Sequence, residues 1–386
     1  MKIDYEMKDG LIIKLKHRLD SANALETEIA INDILAEVQP KKIVVDLEEL
    51  EYISSAGLRV LLKLIRQYRD LEIINVNLTC YEVFEMTGFT EMATIKKAYK
   101  KLNVEGNHII GQGAKGIVYR YNDDTIVKVY KHAEDITDIE KERALAKAAF
   151  VLGVPTAISY DIVKVDGKFA SVFELLDCHS LSELIAMNPS KASEYGKKAG
   201  ELLKQINTTE STKEEIPSGK YKVERWFKNA SNYLNDEEKE KVAHLLDNLD
   251  ETKTLIHGDY HTKNIMVQGD EYILIDMDTL CYGNPVIELA IVDFSFNTVA
   301  NYDKENAPTF LGISNEAAKE FYDALIDQYM AGKSEEEKQA DLNKVLFLSN
   351  LRVLNFAFKN GSNKVMVEGA LNEIRRLLNI VDNLNI

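Results

Sequence analysis

The spacing of hydrophobic positions changes character several times along the chain. Met1 to Met7 and Leu11 to His17 have strand-like spacing and are predicted as two strands joined at Asp9-Gly10. Ser21 to Val38 takes helical spacing, with Ala24, Ile29, Ile31, Ile34 and Leu35 among its apolar positions. Lys42 to Leu47, rich in β-branched residues, predicts a strand, Ala56 to Tyr68 a helix, and Ile73 to Val76 a short strand. Ala93 to Tyr99 is expected to complete this unit, and the alternation of strands and helices predicts a compact α/β sandwich over residues 1–103. A boundary falls near Lys100 to Gly106. With no long Pro, Ser or Gly tract there, the two parts are expected to be held close. Residues 104–386 begin with strand-like stretches and continue in helical ones, with candidate helices at Ala192 to Asn207, Glu237 to Leu249, Asn315 to Met330, Lys338 to Asn355 and Lys364 to Asn383. Thr208 to Gly219 is polar and predicts a surface loop, and the lone Trp226 reads as core.

The chemistry is concentrated in His257-Gly258-Asp259-Tyr260-His261-Thr262-Lys263-Asn264 and in Ile275-Asp276-Met277-Asp278. Between them, Ile265 to Val267 predicts a strand, Gln268-Gly269-Asp270 a tight turn and Glu271 to Ile275 the return strand. Phosphoryl transfer needs one Asp to orient and deprotonate a hydroxyl, and an Asn with an Asp to hold magnesium. A polar turn with solvated acids would explain either half alone. Both halves at this spacing favour the phosphoryl-transfer set. Strand alternation would place Asp276 and Asp278 on one face, where a cation between them would offset their repulsion.

Upstream, Ile110-Gly111-Gln112-Gly113-Ala114-Lys115-Gly116-Ile117-Val118-Tyr119 is a glycine-rich turn between apolar stretches. A dinucleotide fold also uses such a turn, but opens a helix from it; here a strand follows. After a turn at Asn122-Asp123-Asp124, Thr125 to Tyr130 predicts a second strand. Lys128 sits in this apolar run, so its ammonium is directed at an anionic group; Glu140 and Glu142 on the next helix are candidate partners, with Glu142 favoured.

In this order, with Gly153-Val154-Pro155, the hinge-like Phe173-Glu174-Leu175-Leu176 and Gly283-Asn284-Pro285, these motifs resemble the aminoglycoside phosphotransferase/choline kinase-like family. The resemblance implies a bilobal protein-kinase-like fold, with a small lobe over about 104–176 and a helical lobe over about 177–386. ATP would bind between the lobes, against Gly111, Gly113, Gly116, Lys128, Glu142, Glu174 and Leu176. It further implies Asp259 as catalytic base, Asn264 and Asp276 as magnesium ligands and Asp278 as a supporting acid. The acid after the Pro is Glu288, where the family usually has Asp, and no role is assigned to it.

The first hundred residues carry Val45-Asp46-Leu47, Tyr52-Ile53-Ser54-Ser55-Ala56-Gly57-Leu58 and Val83-Phe84-Glu85-Met86-Thr87-Gly88-Phe89. Together these resemble the STAS domain of anti-sigma-factor antagonists. Ser55 takes the place of the serine that a partner kinase phosphorylates there, and Ser54 stands where the preceding Asp is usual. A hydroxyl at this strand-to-helix junction also serves simply as a helix cap.

The formal net charge of −16, most of it after residue 103, argues against nucleic acid or anionic membrane as a main partner. It would suit a cationic, amine-bearing alcohol, although acids such as Asp236, Glu237, Glu238 and Glu240 on helix-like faces also serve solubility. No apolar run is long enough to span a bilayer, and the first residues read as strand rather than signal peptide, so a cytoplasmic protein is expected. Cys80, Cys178 and Cys281 are odd in number and widely spaced, which predicts free thiols. His257 and His261 have zinc-like spacing, but the phosphoryl-transfer motif accounts for them better.

Three functions follow. The leading one is an ATP- and magnesium-dependent phosphotransferase acting on a small hydroxyl compound, with the STAS part docking or regulating through a protein partner. A protein kinase acting on a STAS-domain serine is the second. A non-catalytic, nucleotide-responsive interaction protein is the third, and the full set of chemical residues argues against it.

Overall fold

The computed structural model describes residues 3–113, 115–131, 136–361 and 363–386. Met1 and Lys2 of the first expected strand, and Ala114 of the glycine-rich turn, lie outside them. The chain forms two compact units: Met1–Asn103 with Ile162–Gly167, and Val104–Asp161 with Lys168–Ile386.

The first unit contains β1 (Asp4–Met7), β2 (Leu11–Leu19), α1 (Ala24–Val38), β3 (Ile43–Ile53), α2 (Ser55–Gln67), β4 (Glu72–Val76), α3 (Leu78–Met86) and β5 (Thr94–Lys97). Its sheet runs in the order β1-β2-β3-β4-β5. The β1–β2 hairpin is antiparallel and the other pairs are parallel. Leu11, Ile13 and Leu15 on β2 and Ile43, Val45 and Leu47 on β3 are buried at every second position. Leu61 and Leu64 on α2 and Phe84 on α3 complete the core; each such side chain contributes about 1.5–3 kcal/mol of burial.

Three expectations need correction here. Helix α1 starts at Ala24 rather than Ser21, because Asp20 to Asn23 close a polar turn in which the Asp20 N–H donates to Asn23 Oδ1 (2.9 Å) and the Ala22 N–H to Asp20 Oδ1 (3.0 Å). Ile29 is exposed, off the stripe that buries Thr27, Ile31 and Leu35. Strand β3 continues past Leu47 to Ile53, with Leu50 and Ile53 buried.

At the start of α2 the Ser54 hydroxyl accepts the Ala56 N–H (3.2 Å), so Ser54 is the cap. Ser55 is the first helical residue and is exposed.

Next come β6 (Ile109–Gln112), β7 (Gly116–Arg120), β8 (Thr125–Tyr130), α4 (Thr137–Val151), β9 (Ser159–Val165), whose residues from Ile162 on belong to the first unit, and β10 (Lys168–Glu174). Strands β6, β7, β8 and β10 are antiparallel neighbours in that order. There follow β11 (His179–Ser180), α5 (Leu181–Met187), α6 (Ala192–Thr208), α7 (Lys220–Ala230), α8 (Asp236–Asp247), β12 (Leu255–Ile256), β13 (Ile265–Gln268), β14 (Glu271–Leu274) and β15 (Cys281–Tyr282). The chain closes with α9 (Val286–Asp293), α10 (Val299–Tyr302), α11 (Asn315–Tyr329), α12 (Glu335–Asn360) and α13 (Lys364–Leu377). A mixed sheet is thus followed by a five-stranded sheet, in the order β6-β7-β8-β10-β9, and a predominantly helical region.

Helix α12 begins at Glu335 because Ser334 and Glu337 form a reciprocal capping box. Helix α13 stops at Leu377, short of the expected Asn383. The segment beyond it is tied down by Asn385, whose side chain accepts the N–H of Asp250 (2.8 Å) and an amide proton of Asn284 (3.3 Å) and donates to Asn248 O (3.2 Å). Lys344 Nζ donates to the Asn385 carbonyl (2.5 Å). The polar stretch from Thr208 to Gly219 is not wholly superficial. Ile216 is buried, and the N–H groups of Ser211 and Gly219 donate to Lys253 O and Tyr282 O, each at 2.6 Å. Trp226 is buried in the helical core, and all three cysteines are free. No helix among the described residues is long and apolar enough to cross a membrane.

Candidate active site

The loop from His257 to Asn264 is held by hydrogen bonds from its backbone and side chains to neighbouring elements. Gly258 has φ +83°, and a Cβ there would lie 2.5 Å from Thr279 O, so the position requires glycine. The N–H groups of His257 and Gly258 both donate to the carboxylate of Glu288 on α9, the latter at 3.0 Å. Glu288 is fully buried. Burial pushes its carboxyl up, the two backbone hydrogen bonds pull it back, and the balance leaves it raised to about 7.

His257 Nδ1 accepts the Asp259 N–H (3.3 Å), and its Nε2 meets Ile275 O (3.1 Å), which sets the neutral Nε2–H form. Burial lowers its pKa and so favours that form. Tyr260 donates to Ala199 O (2.6 Å), and the Ser182 N–H donates to Thr262 O, which anchors the loop to α5 and α6.

On this frame Asp259 stands with His261 Nε2 3.5 Å from its Oδ2. Asn264 Nδ2 donates to Asp259 O (3.0 Å) and Oδ2 (3.2 Å), which leaves the Asn264 side-chain oxygen for another partner. Desolvation raises the Asp259 pKa, but the His261 hydrogen bond and the electrostatic pull of His261 and Arg352 outweigh it. Its carboxyl is held well below the usual range.

The hairpin β13–β14 pairs Gln268 with Glu271 and delivers the chain to Asp276. The expected alternation of Asp276 and Asp278 on one strand face does not hold. The strand ends at Leu274, Asp276 takes φ +60°, and Met277–Thr279 is a 3-10 turn. Each acid is paired with a lysine of its own. Lys128 Nζ donates to Asp276 Oδ1 (2.6 Å) and to Glu142 Oε1 (2.8 Å), and Lys115 Nζ donates to Asp278 Oδ2. The Tyr130 hydroxyl donates to Glu142 Oε2 (3.0 Å) and fixes that carboxylate. Burial disfavours the charged form of Lys128, but Asp276 and Glu142 more than compensate and raise its pKa. The same ion pair outweighs desolvation at Asp276 and lowers its pKa.

A cleft of about 590 Å³ gathers Gly111, Gly113, Gly116, Lys128, Glu142, Glu174, Leu176, Asp259, Asn264 and Asp276, all within the second unit. Val118, Ile126, Phe173 and Ile275 give it apolar walls. Asp278 lies outside the lining and Ser55 belongs to the first unit. The three glycines differ in kind. A Cβ at Gly113 would meet nothing within 4 Å, whereas one at Gly116 would lie 2.3 Å from Val129 O, so Gly116 serves the close approach of β7 to β8. Glu174 is spent on backbone: its Oε1 accepts the Ile158 N–H (3.0 Å).

Among the described residues no group of three or more His, Cys, Asp or Glu is placed to hold a metal ion. Magnesium needs less, since one or two protein oxygens together with phosphate oxygens and water complete its shell. Asp276, the Asn264 side-chain oxygen and the buried, unpartnered Asp278 Oδ1 are hard oxygen donors of that type.

The sequence assigns no role to Glu288, Lys115 or Arg352. A lone acid within the apolar run Val286 to Val292 was the available signal for Glu288. Lys115 stood in the quoted glycine motif, and Arg352 gave no local sign.

Residues 108–322 match the family described as "Phosphotransferase enzyme family" (APH), and residues 2–102 match the STAS domain. BtrV of Bordetella bronchiseptica, described as a candidate anti-sigma factor antagonist, is 41% identical over 96 residues, covering 23% of this chain and 80% of BtrV. Among solved structures, the amicoumacin kinase hAmiN has 15% identity and a TM-score of 0.47, with 74% of this chain and 91% of that chain covered. A streptomycin–ATP complex of APH(2")-IIa has 13% identity and a TM-score of 0.46, covering 72% and 93%. A choline/ethanolamine kinase family protein from Mesorhizobium loti has 14% identity and a TM-score of 0.44, covering 70% and 87%. At these values the structural likenesses decide nothing about the chemistry. The family match spans more than half of the sequence, and the chain belongs to the phosphotransferase enzyme family, with a STAS domain ahead of its phosphotransferase domain.

Proposed function

We propose that residues 104–386 transfer the γ-phosphoryl group of ATP to a hydroxyl of a small molecule, and that residues 1–103 dock or regulate through a protein partner. The observation that carries this reading is the convergence of Lys128–Glu142, Asp276, Asn264 and Asp259 on one cleft roofed by the glycine-rich turn.

In this reading the apolar walls and the Glu174–Leu176 hinge receive the adenine. The turn at Gly111, Gly113 and Gly116 lies over the phosphates, and Lys128, steadied by Glu142, donates to their oxygens. Asn264 and Asp276 would hold magnesium, with Asp278 as supporting acid; the ion supplies charge neutralisation of the phosphate groups. Asp259 is ionised at neutral pH and accepts the proton of the acceptor hydroxyl. As that oxygen bonds to the γ-phosphorus, the bond from phosphorus to the bridging oxygen of ADP breaks. A carboxylate of such low basicity takes the proton late in the transfer, so orientation of the hydroxyl is its larger contribution.

A second reading, serine phosphorylation within a STAS domain, is favoured by one observation. Ser54 uses its hydroxyl as the helix cap, whereas Ser55 is exposed at the first position of α2, where a phosphate would meet unpaired N–H groups. One experiment separates the two: full-length protein with labelled ATP, magnesium and a panel of small hydroxyl compounds, followed by mass spectrometry of the protein. Acceptor-dependent turnover with Ser55 unmodified is the expected result. Stoichiometric phosphoserine at position 55, absent in Asp259→Asn, would replace the first reading with the second.

A further inference from the structure

Lys115 stands at the tip of the glycine-rich turn between β6 and β7 and lines the cleft. The backbone there is held by bonds that do not involve the Lys115 side chain. The Gly113 N–H donates to Gly116 O (3.0 Å), the Lys131 N–H to Lys115 O (2.9 Å), and Lys131 Nζ to Gly113 O (2.7 Å). The Lys115 side chain crosses instead to the 3-10 turn after β14, where its Nζ donates to Asp278 Oδ2. An ion pair this exposed adds little to stability. The turn is already closed by its own backbone, so what the pair fixes is the position of the ammonium.

Lys128 and Lys115 differ in what they have left to donate. Lys128 Nζ is shared by two carboxylates, Glu142 and Asp276, and its side chain is 12% exposed. Lys115 Nζ makes one hydrogen bond among the described residues, to Asp278, and its side chain is 46% exposed. An ammonium has three donors, so Lys115 keeps two for an anion in the cleft. Lys263, the third lysine of the lining, stands beside the Phe310 ring, its Nζ 5.8 Å from the centroid. Direction along the cleft follows from the ends already assigned. Adenine lies against Glu174–Leu176 and the metal against Asn264 and Asp276, so the triphosphate runs from the first towards the second. Lys115, tethered two residues beyond Asp276, is on the metal side, where the terminal phosphate arrives. Negative charge spreads over the oxygens of that group during transfer, and a fixed cation beside it lowers the barrier.

We propose that Lys115 is a further catalytic residue, whose ammonium, aimed by Asp278, donates to the terminal phosphate of ATP, the group in transfer. Asp278 is then a positioning residue for Lys115 through Oδ2. Its Oδ1, buried and without a hydrogen-bond partner among the described residues, is left for the metal. The arrangement repeats the one at Lys128, where Glu142 fixes an ammonium from behind. No proton moves at Lys115; it supplies charge and two fixed donors. This deepens the phosphotransferase reading and rests on it.

The test is equilibrium binding of two nucleotides to the full-length protein, each with magnesium: ADP and the non-hydrolysable analogue β,γ-imido-ATP. Lys115→Met should weaken the triphosphate analogue roughly tenfold, as loss of a charge-assisted hydrogen bond implies, and ADP by no more than about twofold. The ratio of the two dissociation constants is the readout. A merely structural part for Lys115 would move both nucleotides together or neither, and leave that ratio alone. Lys115→Arg, which keeps the charge, should restore most of the ratio, and Lys128→Ala, at the inner phosphates, should weaken both nucleotides alike. Lys115→Gln should behave as Lys115→Met does and takes its place if the methionine variant fails to fold. A ratio unchanged by loss of the Lys115 charge would overturn the proposal. Binding of neither nucleotide to the wild type sinks the kinase reading and this assignment with it, whereas binding of both at an unchanged ratio sinks only the assignment.

Discussion

Replacing Glu288 by Gln changes one oxygen to a nitrogen at a fully buried position, and its cost follows from the hydrogen bonds there. The carboxylate accepts from the N–H groups of both His257 and Gly258. A glutamine amide has one acceptor oxygen, so one backbone N–H is left facing an NH2 group. An unpaired buried donor costs about 1–3 kcal/mol, and in a domain of 150–250 residues each kcal/mol lowers Tm by roughly 2–4 °C. A drop of about 2–12 °C is expected. The loop carrying Asp259 is positioned by these bonds, and a misplacement near 1 Å is worth up to about a hundredfold in rate.

The pH behaviour adds an independent check. The Glu288 carboxyl, raised to about 7 from its ordinary 4.5, keeps its proton in the folded chain while the unfolded chain has lost it. Its contribution to stability therefore falls as pH rises from about 4.5 to about 7 and is level above that. Both loop N–H groups are fully accepted only when the carboxyl is ionised, so kcat/KM of the wild type should rise through pH 7. Thermal unfolding by circular dichroism and a pH–rate profile read the two effects. A Glu288→Gln variant with wild-type Tm and an unchanged acid limb in its pH–rate profile would refute the positioning argument.

Other expectations concern the cleft itself. Asp259→Asn should lower the turnover rate about 100- to 10,000-fold while magnesium-ATP still shifts the melting temperature; wild-type turnover would remove Asp259 from the chemistry. In the wild type that shift should correspond to roughly 2.7 kcal/mol at about a hundred times the dissociation constant. Lys128→Ala should diminish it, as should omitting magnesium, and an undiminished shift in Lys128→Ala, measured by differential scanning fluorimetry, would move the nucleotide elsewhere.

The polar residues gathered in the cleft were legible because each is out of place locally. Lys128 interrupts an apolar strand, and Asp259, Asn264 and Asp276 flank a hairpin whose turn, Gln268-Gly269-Asp270, is readable from its glycine. What could not be read depends on contacts made across long stretches of chain. The relation of Asp276 to Asp278 is set by a left-handed residue and a 3-10 turn, which no period-two pattern reveals. Helix α9 is apolar on every side because it is buried on every side, so it shows no helical period, and Glu288 within it looked incidental. Arg352 becomes notable only beside Trp226, Ile291 and Phe294, which reach it from two other segments of the chain. In the first unit, Ile29 is apolar yet exposed, because the phase of its helix carries it off the buried stripe.

Asn385 has a consequence for how the protein is made. Its side chain pairs with Asn284, Asp250 and Asn248, which lie 101, 135 and 137 positions earlier. On a ribosome adding about 5–20 residues per second, those earlier groups emerge several seconds or more before their partner exists. Over that interval the Asp250 N–H and the Asn248 carbonyl can be satisfied only by water. Closure of so long a loop comes late on the folding route, since its entropy is lost before the contact returns any energy. The helical region around the cleft is thus expected to reach its final packing only after residue 385 has left the exit tunnel. A nascent chain arrested before that point should be more open to protease around Asn248–Asp250 than the released protein.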